Sequence, residues 1–166
     1  MGWHSFYSFK GRATRLEYWV VLIVLVFGFV CFYAAAEFIF GIPLFLENVT
    51  DLNWVEQIAY HLVSISFVFF AAPITLRRLH DRNKGVGWLI FYSSASLAFD
   101  AQEFLVSLEF GQWLIGGSLS VLFFAFGLIV GLMSIVDLGF LPGNARLNRY
   151  GIGVHLSSIE DVEIFD

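Results

Sequence analysis

Long apolar runs dominate this chain and restrict the solvent in which it can fold. Trp19–Phe40 is interrupted only by Glu37, Ile58–Leu76 is a second run, and Trp113–Val136 is a third. A helix rises about 1.5 Å per residue, so about 20 apolar residues cross the hydrocarbon of a bilayer, and each run is close to that length. A chain of 166 residues that is 58% hydrophobic and 14% charged is also too apolar for a soluble domain. The sequence therefore predicts an all-α, polytopic membrane protein.

A weaker apolar stretch, Trp88–Phe99, lies between the second and the last run. It is clearly shorter than the other runs and is followed by Asp100, so its length alone fits a re-entrant hairpin as well as a crossing. If this stretch only dipped into the membrane, Arg146 and Arg149 would lie on the side opposite to the other basic residues. The positive-inside rule disfavours that arrangement, and we therefore expect four transmembrane helices.

The basic residues are sorted along the chain. All nine lie before the first span, between the second and third spans, or after the fourth span, whereas the other two connections hold only acids. Because an excess of Lys and Arg in short loops marks the cytoplasmic side, both chain ends are predicted to be cytoplasmic. The net charge of -5 hides this segregation. The basic residues are Lys10, Arg12, Arg15, Arg77, Arg78, Arg82, Lys84, Arg146 and Arg149; the acids of the two connections are Glu47, Asp51, Glu56, Asp100, Glu103 and Glu109.

Local signals predict where the helices begin and end. Thr14–Glu17 has the spacing of a capping box, in which the Thr hydroxyl and the Glu carboxylate accept hydrogen bonds from backbone N–H groups that a helix start leaves unpaired. A helix is therefore expected to begin near Arg15. The second helix is expected to run past the membrane to about Arg82, with Gly85 as a left-handed cap.

Glycine and proline suggest further local features. Gly116, Gly117 and Gly127 in the last span would allow close helix contact. Leu141–Asn144 reads Leu-Pro-Gly-Asn, which predicts a type II turn because Pro and Gly occupy its two central positions.

Three polar stretches together resemble a family of small bacterial inner-membrane proteins, domain of unknown function 805 (DUF805). They are Phe9–Trp19 (FKGRATRLEYW), Arg77–Asp81 (RRLHD) followed by Gly87-Trp88, and Asn148–Gly151 (NRYG). The resemblance spans about residues 6 to 153 and implies four helices, a bacterial inner membrane, and no established activity or ligand. We accordingly expect one membrane domain over residues 1–153 and a short acidic cytoplasmic tail over residues 154–166.

The same three stretches are predicted to converge on the cytoplasmic face, where they form the candidate site. One interpretation is structural: the arginines orient the chain, and Asp81 pairs with Arg77 or Arg78 on a continuing helix. The other is a pocket for an anionic lipid head group or a phosphorylated ligand, because the arginine fork matches phosphate. The candidate residues are Arg12, Arg15, Arg77, Arg78, His80, Asp81, Asn148 and Tyr150.

Two other functions stay open at this point. Glu37 and His61 lie near the outer ends of their spans and could face each other, which would suit a small transporter or channel. His80 and Asp81 could belong to a membrane-embedded hydrolase, but such a site needs further ligands, and His4 and His155 lie near the chain ends. We expect a protein that is not an enzyme and has no metal or cofactor. Its expected partners are membrane lipids, with a homo-oligomer or a membrane-protein partner as further candidates and no nucleic acid.

Overall fold

The computed structural model describes residues 8–40, 53–107, 118–144 and 148–151. It contains four α-helices in those ranges, and three helical segments are long and apolar enough to cross a membrane: Arg15–Ile39, Trp54–Asp81 and Val121–Phe140. The all-α, membrane-type fold expected from the sequence is therefore confirmed at this level. The helices are α1 (Arg15–Phe40), α2 (Trp54–Asp81), α3 (Val86–Ser107) and α4 (Ser118–Ser134), and α4 continues as a π-helical turn over Ile135–Phe140.

Capping boxes begin the first two helices. In α1 the Glu17 N–H donates to Thr14 Oγ1 at 3.1 Å, and the Thr14 N–H donates to Glu17 Oε2 at 2.8 Å, as the sequence predicted. In α2 Asn53 and Glu56 make the same reciprocal pair. The second box begins α2 ahead of the apolar run, because caps rather than hydropathy set where a helix starts.

The end of α2 confirms one prediction and corrects another. The helix runs to Asp81 and is capped by Arg82, close to the predicted end. The left-handed residue that follows is Asn83, with φ 58°, and not Gly85. Asn tolerates this conformation better than most side chains. Gly85 has another role: a Cβ there would lie 2.9 Å from the Tyr150 hydroxyl, so the absence of a side chain lets Tyr150 approach.

The third helix is longer than its apolar stretch. It continues from Val86 through Asp100 to Ser107, a length of 22 residues or about 33 Å. The described residues therefore form one continuous helix here and no hairpin. A hydrocarbon core is about 30 Å thick, so α3 is long enough to cross it. That it does cross remains a prediction.

Helices that follow one another in the chain pack side by side, and at one end of the bundle the π-helical turn closes the arrangement. α1 packs on α2, α2 on α3 and α3 on α4, and the π-helical turn after α4 contacts both α1 and α2. The closed end, which we call the arginine end, contains most of the buried apolar side chains, including Ala13, Leu79 and Leu138. Along the rest of α1 many large apolar side chains are exposed, as expected for helices that face lipid.

Gly127 confirms that a glycine of α4 permits close helix contact. A Cβ at this position would overlap the ring of Phe99 on α3. Gly116 and Gly117 fall outside the described residues.

We predict that Gly127→Ala weakens the packing of α3 on α4, because the added methyl group overlaps the Phe99 ring. The expected loss is about 1–3 kcal/mol of unfolding free energy, the usual cost of overpacking. Thermal or denaturant unfolding in detergent micelles measures it. Gly131→Ala is the matched control on the same helix, because a Cβ there meets nothing within 4 Å. Equal stability of the two variants would contradict the prediction.

Candidate functional site

Asp81 lies at the centre of the arginine end and binds two arginines. Arg12 contacts Asp81 Oδ1 through Nη2 at 2.8 Å and through Nε at 3.0 Å. Arg78 donates from Nη1 to Asp81 Oδ2, one helical turn away. The side chains of Arg12 and Arg78 are only 2% and 1% exposed. The carboxylate therefore neutralises one of two positive charges that are almost entirely removed from solvent.

Backbone carbonyls satisfy most of the remaining arginine donors. The carbonyls of five consecutive residues, from Leu138 to Pro142, each accept a hydrogen bond from a side chain of α1 or of the end of α2. Arg78 alone donates from Nε to Leu138 O at 2.8 Å and from Nη2 to Leu141 O at 2.6 Å. The other donors are Trp19 to Gly139, Arg15 to Phe140 and Arg82 to Pro142.

The π-helical turn explains why these carbonyls are available. The last carbonyls of any helix have no partner within the helix. In Ile135–Phe140 the turn is wider, and the Leu141 N–H bonds back to Val136 O at 3.0 Å, five positions earlier in the chain. Arginine carries five N–H donors in a fixed fork, so one side chain can bind several carbonyls together with a carboxylate.

The segment that follows the π-helical turn contacts Asp81. The Asn144 N–H donates to the Asp81 carbonyl at 2.8 Å, and the Asn144 carbonyl accepts from Arg12 Nη2. A Cβ at Gly143 would overlap Asp81 Oδ2. A type II turn needs a positive φ at Gly143. Among the described glycines only Gly11 and Gly151 have a positive φ, so the predicted type II turn is wrong. Gly143 is needed for close approach to the carboxylate and not for its backbone angle.

His80 connects two further segments of the chain to the end of α2. Its Nδ1 donates to the Gly11 carbonyl at 3.1 Å, and its ring stacks on Tyr150 with centroids 3.8 Å apart. Asn148 Nδ2 donates to the His80 carbonyl at 3.0 Å. The His80 side chain therefore connects the segment before α1 with the segment around Tyr150.

Asp137, which is not among the predicted site residues, forms a second buried carboxylate centre. Lys84 Nζ and the Tyr92 hydroxyl bind its Oδ2 at 2.7 and 2.8 Å, and Arg82 Nε lies 2.9 Å from its Oδ1. The Lys84 ammonium also lies 4.0 Å from the centre of the Trp88 ring. The only sequence signal was an acid at the end of an apolar run.

The structure brings most of the predicted site residues together, but with their polar atoms directed inward. Arg12, Arg78, Asp81, His80, Asn148 and Tyr150 all belong to the network described above, and Arg77 Nη2 donates to the Arg12 carbonyl at 3.4 Å. Arg15 is different: it lies on the exposed side of α1 and reaches the Phe140 carbonyl at 3.2 Å. Within the described residues, these side chains therefore form an internal network.

The sequence suggested that His61 could face Glu37, but in the structure His61 is paired with a residue of α3. His61 Nδ1 lies 3.0 Å from Asp100 Oδ1 on α3, and both side chains are nearly buried. In the sequence, Asp100 was noted as an acid that follows a weak apolar run and as one of the acids of the connections without basic residues. Periodicity within one helix does not reveal which neighbour faces it.

The described ranges contain no group of three or more His, Cys, Asp or Glu side chains that could hold a metal ion. His80 and Asp81 are adjacent in sequence, but each is bound within the arginine end by its own partners. His4, His155 and the predicted acidic tail lie outside the described residues.

A family model described as "Protein of unknown function (DUF805)" matches residues 6–152. The chain belongs to the DUF805 family. The match covers all three polar stretches on which the resemblance was based.

Two curated relatives of this DUF805 chain are the proteins named "Uncharacterized protein YiiR" of Escherichia coli K12 and of Escherichia coli O157:H7. Each is 25% identical over 145 residues, which cover 87% of this chain and 84% of the relative. No solved structure matches. The relatives are consistent with membership of the family, and their names state no activity.

We predict that Asp81→Asn strongly destabilises the protein, because it leaves Arg12 and Arg78 buried without their shared counter-charge. Breaking a buried ion pair from one side costs about 3–5 kcal/mol. Unfolding in detergent, followed by tryptophan fluorescence, measures the loss. Glu17→Gln is the control at the same end of the molecule, because the amide can still accept in the capping box and no buried charge is left unpaired. An Asp81→Asn protein as stable as the control would contradict the prediction.

Proposed function

We propose that this DUF805 protein is a non-enzymatic, structural protein of the bacterial inner membrane, with four crossings and both chain ends in the cytoplasm. Four helices of sufficient length support the crossings: three are also apolar enough, and α3 spans about 33 Å. The distribution of all nine basic residues supports the orientation. The arginine end then lies at the cytoplasmic surface.

The main support for a structural role is that the donors of the buried arginines are already bound to acceptors within the protein. Arg12 and Arg78 bind Asp81 and the carbonyls of three separate stretches of chain, so their donors are directed to the protein itself. A phosphate would have to displace these contacts before it could bind either side chain. His80 is similarly committed to Gly11 and Tyr150, which argues against a hydrolase centred on it.

Outward-facing basic side chains support contact with lipid at the same end. Lys10, Arg15 and Arg149 are exposed, whereas Lys84 and Arg82 are paired with Asp137. A cation close to an anionic leaflet gains about 1 kcal/mol. We therefore propose that the anionic-lipid site suggested by the sequence is formed by these outer residues. The buried arginines stabilise the surface on which the outer residues lie.

The proposed orientation predicts the accessibility of single cysteines in a Cys31→Ser background. Ser8→Cys and Ser158→Cys should be protected from a membrane-impermeant maleimide in intact spheroplasts, because both chain ends are inside. Val55→Cys, which is exposed at the start of α2, should be labelled. Lysed spheroplasts provide the control for reactivity. Labelling of one chain end and not the other in intact cells would exclude an even number of crossings.

If these side chains contact lipid, replacing Lys10, Arg15 and Arg149 by Gln should reduce the amount of phosphatidylglycerol retained in native mass spectrometry. The expected decrease is about fivefold per charge, from about 1 kcal/mol each. The charge-preserving variant that combines Lys10→Arg, Arg15→Lys and Arg149→Lys is the matched control and should retain the lipid. Because these side chains are exposed, unfolding should change little beyond the loss of the Arg15 hydrogen bond to the Phe140 carbonyl. Unaltered lipid retention in the neutral variant would refute the lipid contact and leave the internal network unaffected.

A further inference from the structure

A groove between α2 and α3 lies far along both helices from the arginine end. Its volume is about 410 Å³, and its walls are mostly apolar. Several wall residues, among them Leu62 on α2 and Leu97 on α3, are also exposed on the outer surface of the helices, so the groove opens towards the surroundings of the bundle. Two polar side chains, His61 and Asp100, line it as well.

His61, which lines this groove, has a buried polar atom without a partner among the described residues. The residue is 6% exposed, and its ring lies edge-on between the rings of Tyr60 and Phe104, with centroids 5.4 and 5.2 Å away. Nδ1 is paired with Asp100, but Nε2 is buried and has no hydrogen-bond partner among the described residues. Buried polar atoms are nearly always paired in folded proteins. A ligand is one way to supply the missing partner.

The chemistry of the pair defines the group that would fit. With Nδ1 donating to the Asp100 carboxylate, Nε2 of a neutral imidazole is an acceptor. Asp100 adds a second carboxylate oxygen, and the sequence places every Lys and Arg in segments that belong to the arginine end or to the chain ends. The groove therefore offers acceptors and negative charge without a basic side chain to balance them. A primary ammonium group, with three donors and one positive charge, complements it.

The depth of the pair favours a lipid as the source of that ammonium. His61 lies about two helical turns after Trp54, where α2 begins, and Asp100 lies about two turns before Ser107, where α3 ends. Two turns of helix measure about 10 Å, so both side chains lie in the outer third of the proposed crossing, within about 10 Å of the head groups. A phospholipid head group reaches this depth while its acyl chain lies against the apolar walls.

We propose that the groove binds an aminophospholipid such as phosphatidylethanolamine, with the ammonium at His61 Nε2 and Asp100 and one acyl chain along the walls. This inference uses the proposed crossing of α2 and α3 but not the lipid contact at the arginine end. Occupancy would also hold α2 against α3 at the end of the bundle that lacks the arginine network.

A second groove provides an internal comparison. It lies between α1 and α2, has a volume of about 440 Å³ and is lined almost entirely by apolar side chains, including Val24. Its one hydroxyl, on Ser66, already donates to the Leu62 carbonyl at 2.7 Å. This groove has the room for an acyl chain but offers no charge to a head group.

The test uses the full-length protein in nanodiscs of equal phosphatidylethanolamine and phosphatidylglycerol, with retained lipid counted by native mass spectrometry. Leu97→Trp fills the groove and leaves His61 and Asp100 unchanged, so the bound ethanolamine lipid should be lost. Asp100→Asn should lower its retention about tenfold, the worth of one charge-assisted hydrogen bond. Val24→Trp, which fills the comparison groove, should leave retention as in the wild type.

A second measurement on the wild-type protein needs no substitution. Phosphatidylcholine has the same acyl chains but a quaternary ammonium without N–H donors, so it should be retained about tenfold less. Equal retention of the two lipids, or equal loss in Leu97→Trp and Val24→Trp, would overturn the proposal. Loss of phosphatidylglycerol alone in the Lys10, Arg15 and Arg149 variant concerns the arginine end, so the two lipid proposals fail independently.

Discussion

The shared carboxylate of Asp81 is the contact on which the architecture of the arginine end depends. Two arginines with 2% and 1% side-chain exposure would be very unfavourable to bury as bare charges, and a single acid between them neutralises only half of that charge. The carbonyl dipoles of Ala13, Leu138, Asn144 and Gly151 provide the rest. Because these carbonyls come from before α1, from the π-helical turn and from beyond it, satisfying the two arginines forces those segments together.

This arrangement solves a problem that membrane proteins share. Helix ends expose carbonyls that water normally satisfies, and close to a bilayer water is less available. Here the end of α4 is bound by side chains of α1, of α2 and of the residue that caps α2, and together they donate to each carbonyl from Leu138 to Pro142. Basic residues that resemble a ligand site in sequence therefore act as the missing donors for a helix end. Outward-facing Arg15 takes part in the same pattern and still presents its charge to the surroundings.

Features set by residues close together in sequence could be predicted, and features set by distant partners could not. The capping box at Thr14 and Glu17 and the end of α2 near Arg82 depend on local hydrogen bonds, and the structure has both. Gly143 was assigned to a turn because Pro-Gly usually forms one, but the carboxylate of Asp81, which is distant in the sequence, explains the glycine. Likewise, nothing in the sequence of α2 alone identifies Asp100 as the partner of His61. Convergence of the three polar stretches was predictable from charge, whereas the inward direction of their donors required the fold.

The π-helical turn also fixes the number of residues between α4 and Asn144. The carbonyls from Leu138 to Pro142 each meet a different donor atom, so adding or removing one residue in the last turns of α4 would rotate these carbonyls by about 100° and shift them by about 1.5 Å. All the side-chain bonds beyond the change would be misaligned together. Natural or engineered variants of this protein should therefore accept substitutions on the exposed apolar side of α4 far more readily than any insertion or deletion in its final turns.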